Sequence, residues 1–459
     1  LATRLQGEGV HKIQTWGGIF LRAKRPALHH RPVSQSEKRN RNSGYARAAL
    51  FPLMPSNRSA EECCGQLWEK RGHMNPFVFN TTKSVVFENG AAVRIAELAG
   101  SLLGEACLLI TDPGLRQLGL CDPCIDALEK AGHQVTIFDE VEADPSRETL
   151  MRAVEAGRSA GATGVIGFGG GSSQDVAKLV ALLLGSDEDL DAAWGVGQAK
   201  GPRLPLVLIP TTAGTGSEVT PVSIITVGAE EKRGVSSPVI LPDMAILDAS
   251  LTVGLPAPIT AATGVDAMVH AIESYASVNA NNNPVSKLLA REALRLLGAN
   301  IEAVVADGSN VDARGAMLLG SMLAGQAFAN SPVAAVHALA YPIGGTFHIP
   351  HGLSNALVLP HVLRFNAPNA GSVYAEIAAD AFPALADVEG SQARTAAFID
   401  AVSDLSARLG LPQRLRDVDI PQSAIPKMAE DAMVQARLLV NNPRDVTQAD
   451  AQAIYEAAW

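Results

Sequence analysis

The sequence predicts a two-part chain: an α/β domain over 74–255, then an all-helical domain over 256–459. Three observations carry this. The 459 residues exceed what one ordinary core encloses. From 74 to about 255, short aliphatic or β-branched runs alternate with helical patterns, as in a largely parallel sheet covered by helices. From about 256 the strand signal fades and helical periodicity dominates.

Taken in order, residues 1–73 stand apart. They lack sustained apolar periodicity and hold 13 Lys+Arg against 5 Asp+Glu, in clusters such as AKRPALHHRP and SEKRNRNSGYAR. They read as a non-native or disordered N-terminal extension, with Met74 as the natural start. The Arg-rich, acid-poor composition makes a targeting segment the runner-up, and a nucleic-acid-binding arm comes third. The remaining residues hold 24 basic and 42 acidic side chains, an acidic balance that argues against nucleic acid as a partner. No apolar run reaches the length of a membrane span. Five cysteines are too sparse for a disulfide framework and agree with a reducing cytoplasm. Cys121 and Cys124 form a CxxC, but no second Cys or His pair accompanies it, so they read as ordinary helix residues.

Five strands are expected: ACLLITD (106–112), VTIFD (135–139), GVIGFGGG (164–171), LPLVLIP (204–210) and MAILD (244–248). Helical segments such as CIDALEKAG and RETLMRAVEAGRSAG fall between them. The third strand runs into Gly169, Gly170, Gly171, Ser172, Ser173, Gln174 and Asp175, and then into a helix. Strand, three glycines and helix make a phosphate cradle. Glycines let the backbone approach an oxyanion, and a helix N-terminus presents free N–H groups and partial positive charge. The pattern is not GxGxxG, and a tightly packed glycine turn is an even competitor. The fourth strand ends in a second loop dense in hydroxyls and glycine, with Thr211, Thr212, Ala213, Gly214 and Thr215. Ligands of open α/β sheets bind at such strand ends, and two such loops can clamp a dinucleotide. Asp112, ending the first strand, could bind the ribose hydroxyls of NAD and repel the 2′-phosphate of NADP. Its competing role is that of an Asp-Pro-Gly turn residue.

The helical half carries Asp266 and His270, four apart and so on one helical face. His337 and His351 flank a stretch with two prolines and two glycines that can fold back. One carboxylate and three imidazoles suit a borderline metal, Fe²⁺ or Zn²⁺. A buried histidine is usually structural; an i,i+4 Asp/His pair with two further histidines points instead to a ligand set. His361 reads as a packing or capping residue and His348 as lining a substrate entrance.

Together GGGSSQDVAK, PTTAGTGSEVT, GLPAPITAATGVDAMVHAIESY and HALAYPIGGTFHIPHGLSNALVLPHVLRFN resemble the iron-dependent (group III) alcohol dehydrogenases, from about Met74 to Trp459. Asn441–Arg444 is similar to that family's C-terminal signature. The resemblance implies the dehydroquinate-synthase-like architecture: an α/β nucleotide domain, a helical metal domain, and an active site between them. By position it implies Asp266, His270, His337 and His351 as metal ligands, and Gly170 to Asp175 as the pyrophosphate loop. Thr211 to Thr215 would form the second cofactor loop, and Lys232 and Asp112 would be further cofactor contacts. Asp144, Pro145 and Ser146 stand where relatives often have Asn-Pro-Thr, and by that position Asp144 is implied as a further cofactor contact. Tyr341 stands where many carry a histidine proposed to relay protons.

The implied reaction is reversible oxidation of a primary alcohol to an aldehyde, with hydride transfer to NAD and Fe²⁺ acting as Lewis acid. The apolar helical half suits small aliphatic alcohols, and the resemblance implies a homodimer or larger homo-oligomer. A maleylacetate-reductase-like enzyme working without metal is one alternative; the intact ligand set speaks against it. A dehydroquinate-synthase-like lyase is another, and the scarcity of Lys and Arg around the ligands speaks against a phosphate-bearing substrate. A zinc-dependent glycerol dehydrogenase would typically use fewer histidines.

Overall fold

The strand residues alternate between two apolar layers, and this builds the first half of the protein. In the computed structural model, which describes residues 75–228 and 231–459, Leu108 and Ile110 join one buried cluster while Cys107 and Leu109 join another. Val165, Leu206 and Leu208 face the first layer; Ile166, Phe168, Val207 and Ile209 face the second. A strand turns successive side chains to opposite faces, so these runs are apolar throughout because both faces are covered.

The strands are β1 (Ser84–Phe87), β2 (Ala106–Ile110), β3 (Gln134–Phe138), β4 (Gly164–Gly169), β5 (Gly195–Val196), β6 (Leu206–Pro210), β7 (Val222–Val227), β8 (Glu231–Ser236) and β9 (Met244–Leu247). Six of them form one sheet in the order β1-β9-β6-β4-β2-β3, with every pairing parallel. Helices α1 (Ile95–Leu103), α2 (Pro113–Gln117), α3 (Asp122–Lys130), α4 (Arg147–Ser159), α5 (Gly171–Gly185) and α6 (Leu190–Ala193) fall between its strands. Residues of α4 and α5 fill one apolar layer, and those of α1 and α3 fill the other. Each of the five expected strands is present, within two residues of its expected start.

A smaller sheet, ordered β5-β8-β7, was not expected. Its β7–β8 hairpin is antiparallel and pairs Thr226 with Lys232. The sequence of β8, EKRGVS, lacks the apolar alternation that announces a half-buried strand.

The second half is helical: α7 (Ala257–Ala276), α8 (Pro284–Ala306), α9 (Val311–Asn330), α10 (Ala335–Phe347), α11 (His351–Ala381), α12 (Ser391–Arg408), α13 (Ile425–Met433), α14 (Ala436–Leu439) and α15 (Gln448–Ala458). Helix α7 is buried on nearly every side from Thr260 to Ala276 and packs against α8, α9 and α11. A helix apolar all round belongs at the centre of a bundle, which explains its weak amphipathicity. Among the described residues no helix is long and apolar enough to cross a membrane.

The readings made of residues 1–73, including Cys63 and Cys64, lie outside the described residues. Cys107, Cys121 and Cys124 are free and buried. Burial pushes the Cys124 thiol up to about 12, so it behaves as an inert core residue.

Candidate active site between the sheet and the helices

The C-terminal ends of adjacent parallel strands gather the segments expected to hold a dinucleotide. Asp112 follows β2, Asp144 follows β3, Gly170 follows β4 and Thr211 follows β6. Because β2, β4 and β6 are neighbours, with Ile110 opposite Gly167 and Gly169 opposite Pro210, the glycine loop and the Thr-rich loop lie side by side. A Cβ on Gly171 would approach Thr215 Cγ2 to 2.9 Å, so only glycine lets the two loops meet here. Helix α5 begins at Gly171 with no side-chain cap. Its first N–H groups are therefore available to an anion, as a pyrophosphate requires.

Not every expected contact residue points to open space. The Asp175 carboxylate accepts from Ser217 Oγ at 2.7 Å and from Ile224 N at 2.9 Å, tying α5 to the second loop and to β7. Gln174 donates from Nε2 to Gly169 O at 3.0 Å, while its Oε1 is buried without a partner. Ser173 is buried, whereas Ser172 is partly exposed. Asp112 caps α2, accepting from Leu115 N at 2.9 Å; the turn role and a ribose role therefore meet on one carboxylate. Asp144 adopts a left-handed φ of 55°, and its Oδ1 lies 2.7 Å from Lys232 Nζ. Lys232 also donates to Thr226 Oγ1 at 2.9 Å, so these two expected cofactor residues are partners of one another. Ser146, closing the same turn, caps α4.

One residue of this region was not anticipated. Lys178, on α5, is fully buried. It donates to Ser217 Oγ at 2.7 Å, Thr220 Oγ1 at 3.1 Å and Val222 O at 2.7 Å. Burial lowers its pKa to about 8, against the pull of Asp175 and Glu218. It fastens the second loop from behind. The available signal was a single Lys inside the apolar run VAKLVALLLG.

On the helical side, Asp266 and His270 of α7, His337 of α10 and His351 at the start of α11 bring one donor atom each within 4.8 Å of one another. Asp266, His270 and His337 are buried; the His351 side chain is 40% exposed and stands at the mouth. Helix α11 reaches Asp266 because residue 352 is glycine: a Cβ there would lie 2.4 Å from Ala262 O. Two rings have their outer nitrogens engaged. His270 Nδ1 lies 3.2 Å from Gly214 O, and His337 Nδ1 lies 2.6 Å from Glu273 Oε2. With Nδ1–H donating in each case, both Nε2 lone pairs are left for a cation. Burial, reinforced by His337 and His351, pushes the His270 pKa down to about 3 although Asp266 opposes it, so the ring is neutral. For Asp266, burial opposes the charge, but the three imidazoles and Asn355 outweigh it and hold the carboxyl below its ordinary value. A carboxylate and three imidazoles converging in one largely buried pocket fit a divalent cation.

The His270–Gly214 contact joins α7 to the Thr-rich loop after β6. Phe328 stacks on His270 at 4.4 Å. Tyr341 has its ring centre 6.3 Å from that of His351 and accepts from Arg437 Nη2 at 3.2 Å. His348 is exposed and ends α10 in the left-handed region. His361 lies ten residues along α11 from His351, about 15 Å away at the helical rise. It lines a separate surface cleft of about 440 Å³ with Arg364, Arg414, Arg416 and Trp459.

Residues 82–249 match the iron-containing alcohol dehydrogenases, and residues 260–459 match the C-terminal region of the same family. The chain is 42% identical over 376 residues to long-chain-alcohol dehydrogenase 1 of Geobacillus thermodenitrificans, covering 81% of this chain and 93% of that protein. The chain belongs to the iron-containing alcohol dehydrogenase family. It is 36% identical to 1,3-propanediol dehydrogenase of Citrobacter freundii, over 81% of this chain and 96% of that one. The crystal structure of a 1,3-propanediol oxidoreductase superposes with a TM-score of 0.80 at 35% identity, covering 84% of this chain and all of that chain. A sulfoacetaldehyde reductase from Bifidobacterium kashiwanohense, solved with NAD⁺, has a TM-score of 0.74 at 29% identity, over 84% of this chain and 99% of that one. As an iron-containing alcohol dehydrogenase, the protein is a metal-dependent oxidoreductase that interconverts alcohols and aldehydes with a nicotinamide cofactor.

Proposed function

We propose that Asp266, His270, His337 and His351 hold the divalent metal of this dehydrogenase. We also propose that Gly170 to Asp175 and Thr211 to Thr215, with Asp112, Asp144 and Lys232, form its NAD site. The carrying observation is the convergence of the four donor atoms within 4.8 Å, joined through His270 to the loop at Gly214. On this reading residues 74–255 serve the dinucleotide and 256–459 serve metal and substrate.

When bound, Fe²⁺ or Zn²⁺ would supply Lewis-acid chemistry at the substrate oxygen, and NAD would supply the hydride acceptor. The chain's own contribution is position and environment. Glu273 and the Gly214 carbonyl fix the ring orientations of His337 and His270. Helix α5 offers uncapped N–H groups to the pyrophosphate. Phe328 excludes water from one side of His270. Tyr341, beside His351 and within reach of Arg437, stands where a proton could pass to solvent.

Substrates are primary alcohols and their aldehydes, in keeping with relatives named for long-chain alcohols, 1,3-propanediol and lactaldehyde. A cytoplasmic homodimer or larger homo-oligomer remains our reading, supported for the compartment by three free buried cysteines among the described residues. The test is a screen of alcohols and aldehydes with NAD and NADP after reconstitution with Fe²⁺ or Zn²⁺. Turnover that survives exhaustive chelation would overturn the metal assignment.

A further inference from the structure

The most unusual side chain in the helical half is not one of the four expected ligands. Asn355 lies four residues after His351 on α11, so the two share a face, and it is completely buried. Its Nδ2 donates to Asp266 Oδ1 at 2.6 Å and lies 3.3 Å from both His337 Nε2 and His351 Nε2. One NH₂ group therefore faces three of the four donor atoms. The other end of the same amide, Oδ1, is buried with no hydrogen-bond partner. A buried orphan carbonyl is unfavourable, and no hydrogen bond on that side offsets it. Every hydrogen-bonding contact of this amide runs to the ligand cluster.

We propose that Asn355 is the built-in placeholder of the metal site. This rests on the assignment of Asp266, His270, His337 and His351 as metal ligands. Four electron-rich atoms brought together in a largely buried pocket repel one another unless something positive lies among them. In the metal-free chain the polarised N–H bonds of Asn355 fill that role and keep Asp266, His337 and His351 converged. A cation needs the Nε2 lone pairs of His337 and His351 for itself, so metal entry replaces the two 3.3 Å contacts. The bond to Asp266 can persist, because the carboxylate has further lone pairs. Asn355 is thus a positioning residue that keeps the empty site open and pre-formed; it is not a ligand.

The test compares apparent Tm values of chelator-stripped and Zn²⁺-loaded protein, for wild type, Asn355→Ala and Asn355→Ser. Zn²⁺ affinity is measured alongside by competition with a chromogenic chelator. Wild type should be stabilised by Zn²⁺; if it is not, the metal-site reading itself fails. Given that stabilisation, Asn355→Ala should lower the Tm of the stripped form at least twice as far as that of the loaded form. Asn355→Ser, which keeps one donor, should fall between Ala and wild type. Equal losses in both states would show a packing role and overturn the proposal. So would an unchanged stripped form. Should Asn355→Ala fail to fold, the same comparison on Asn355→Ser decides the matter.

Discussion

Glu273 Oε2 lies 2.6 Å from His337 Nδ1, and the other carboxylate oxygen of Glu273 accepts from Val336 N at 2.7 Å. The glutamate thus grips both the ring and the backbone of the turn that presents it. It sits three residues after His270 on α7, so one helix supplies two proposed ligands and the orienting partner of a third. Outer partners of this kind fix the tautomer and raise ligand basicity. Glu273→Gln should therefore lower Zn²⁺ or Co²⁺ affinity by about 10–100-fold with the helical fold retained. Chelator competition reads the affinity and circular dichroism the fold; unchanged affinity would remove Glu273 from the site.

His270 bridges the two halves, with its ring facing the proposed metal site and Nδ1 set 3.2 Å from Gly214 O. Removing the ring deletes one of four donors while leaving the glycine loop and α5 intact. His270→Ala should lose bound metal and alcohol oxidation together, yet still bind NADH with measurable affinity. Elemental analysis and NADH fluorescence titration check the two halves separately. A metal-free but fully active variant is the result that counts against the assignment.

How much of this could be read in advance depends on how far apart the partners lie in the chain. Strands β2, β3, β4, β6 and β9 announce themselves by unbroken apolar runs. Asp266 and His270 announce themselves by helical spacing. Asn355 and Glu273 obey the same local rules: Asn355 is four after His351, and Glu273 is three after His270. Their chemistry, however, depends on partners 89 and 64 residues away, Asp266 and His337. Spacing along one helix shows which side chains share a face, not which other helix that face meets. Lys178 was hidden for the same reason, its partners Ser217 and Thr220 lying 39 and 42 residues downstream. Asp112 reads as either a turn residue or a ribose contact, and its carboxylate accepts from Leu115 N at the start of α2, as a turn residue there can.

Behind the second loop, two buried groups of opposite sign titrate near neutrality. Burial raises Glu218 to about 7 from an ordinary 4.5, and its Oε1 has no partner. Between these values the folded chain keeps a proton that the unfolded chain releases, so this group's contribution to stability is present below pH 4.5 and is lost as pH rises through 7. Lys178, lowered to about 8 from 10.5, acts in the other direction: its contribution is present above pH 10.5 and is lost as pH falls through 8. Glu218→Gln removes the first dependence. The variant should gain roughly 1–3 kcal/mol over wild type at pH 8 relative to pH 5, read from denaturant titrations at both values. Parallel stability curves would show that Glu218 does not change charge in this window.

Asp112 offers a substitution that separates its two roles. Its carboxylate caps α2 through Leu115 N at 2.9 Å, and it stands at the end of β2, where an adenosine ribose would lie. Serine also caps helices well, so Asp112→Ser keeps the cap and deletes the charge. If the carboxylate acts on the ribose, the variant should show a higher KM for NAD and a lower KM for NADP. The first effect follows because a bond to the ribose hydroxyls is weakened, the second because repulsion of the 2′-phosphate is relieved. Its Tm should stay within a few degrees of wild type. Steady-state kinetics with both cofactors measure this, and an unchanged KM ratio at unchanged stability would leave Asp112 as a turn residue alone.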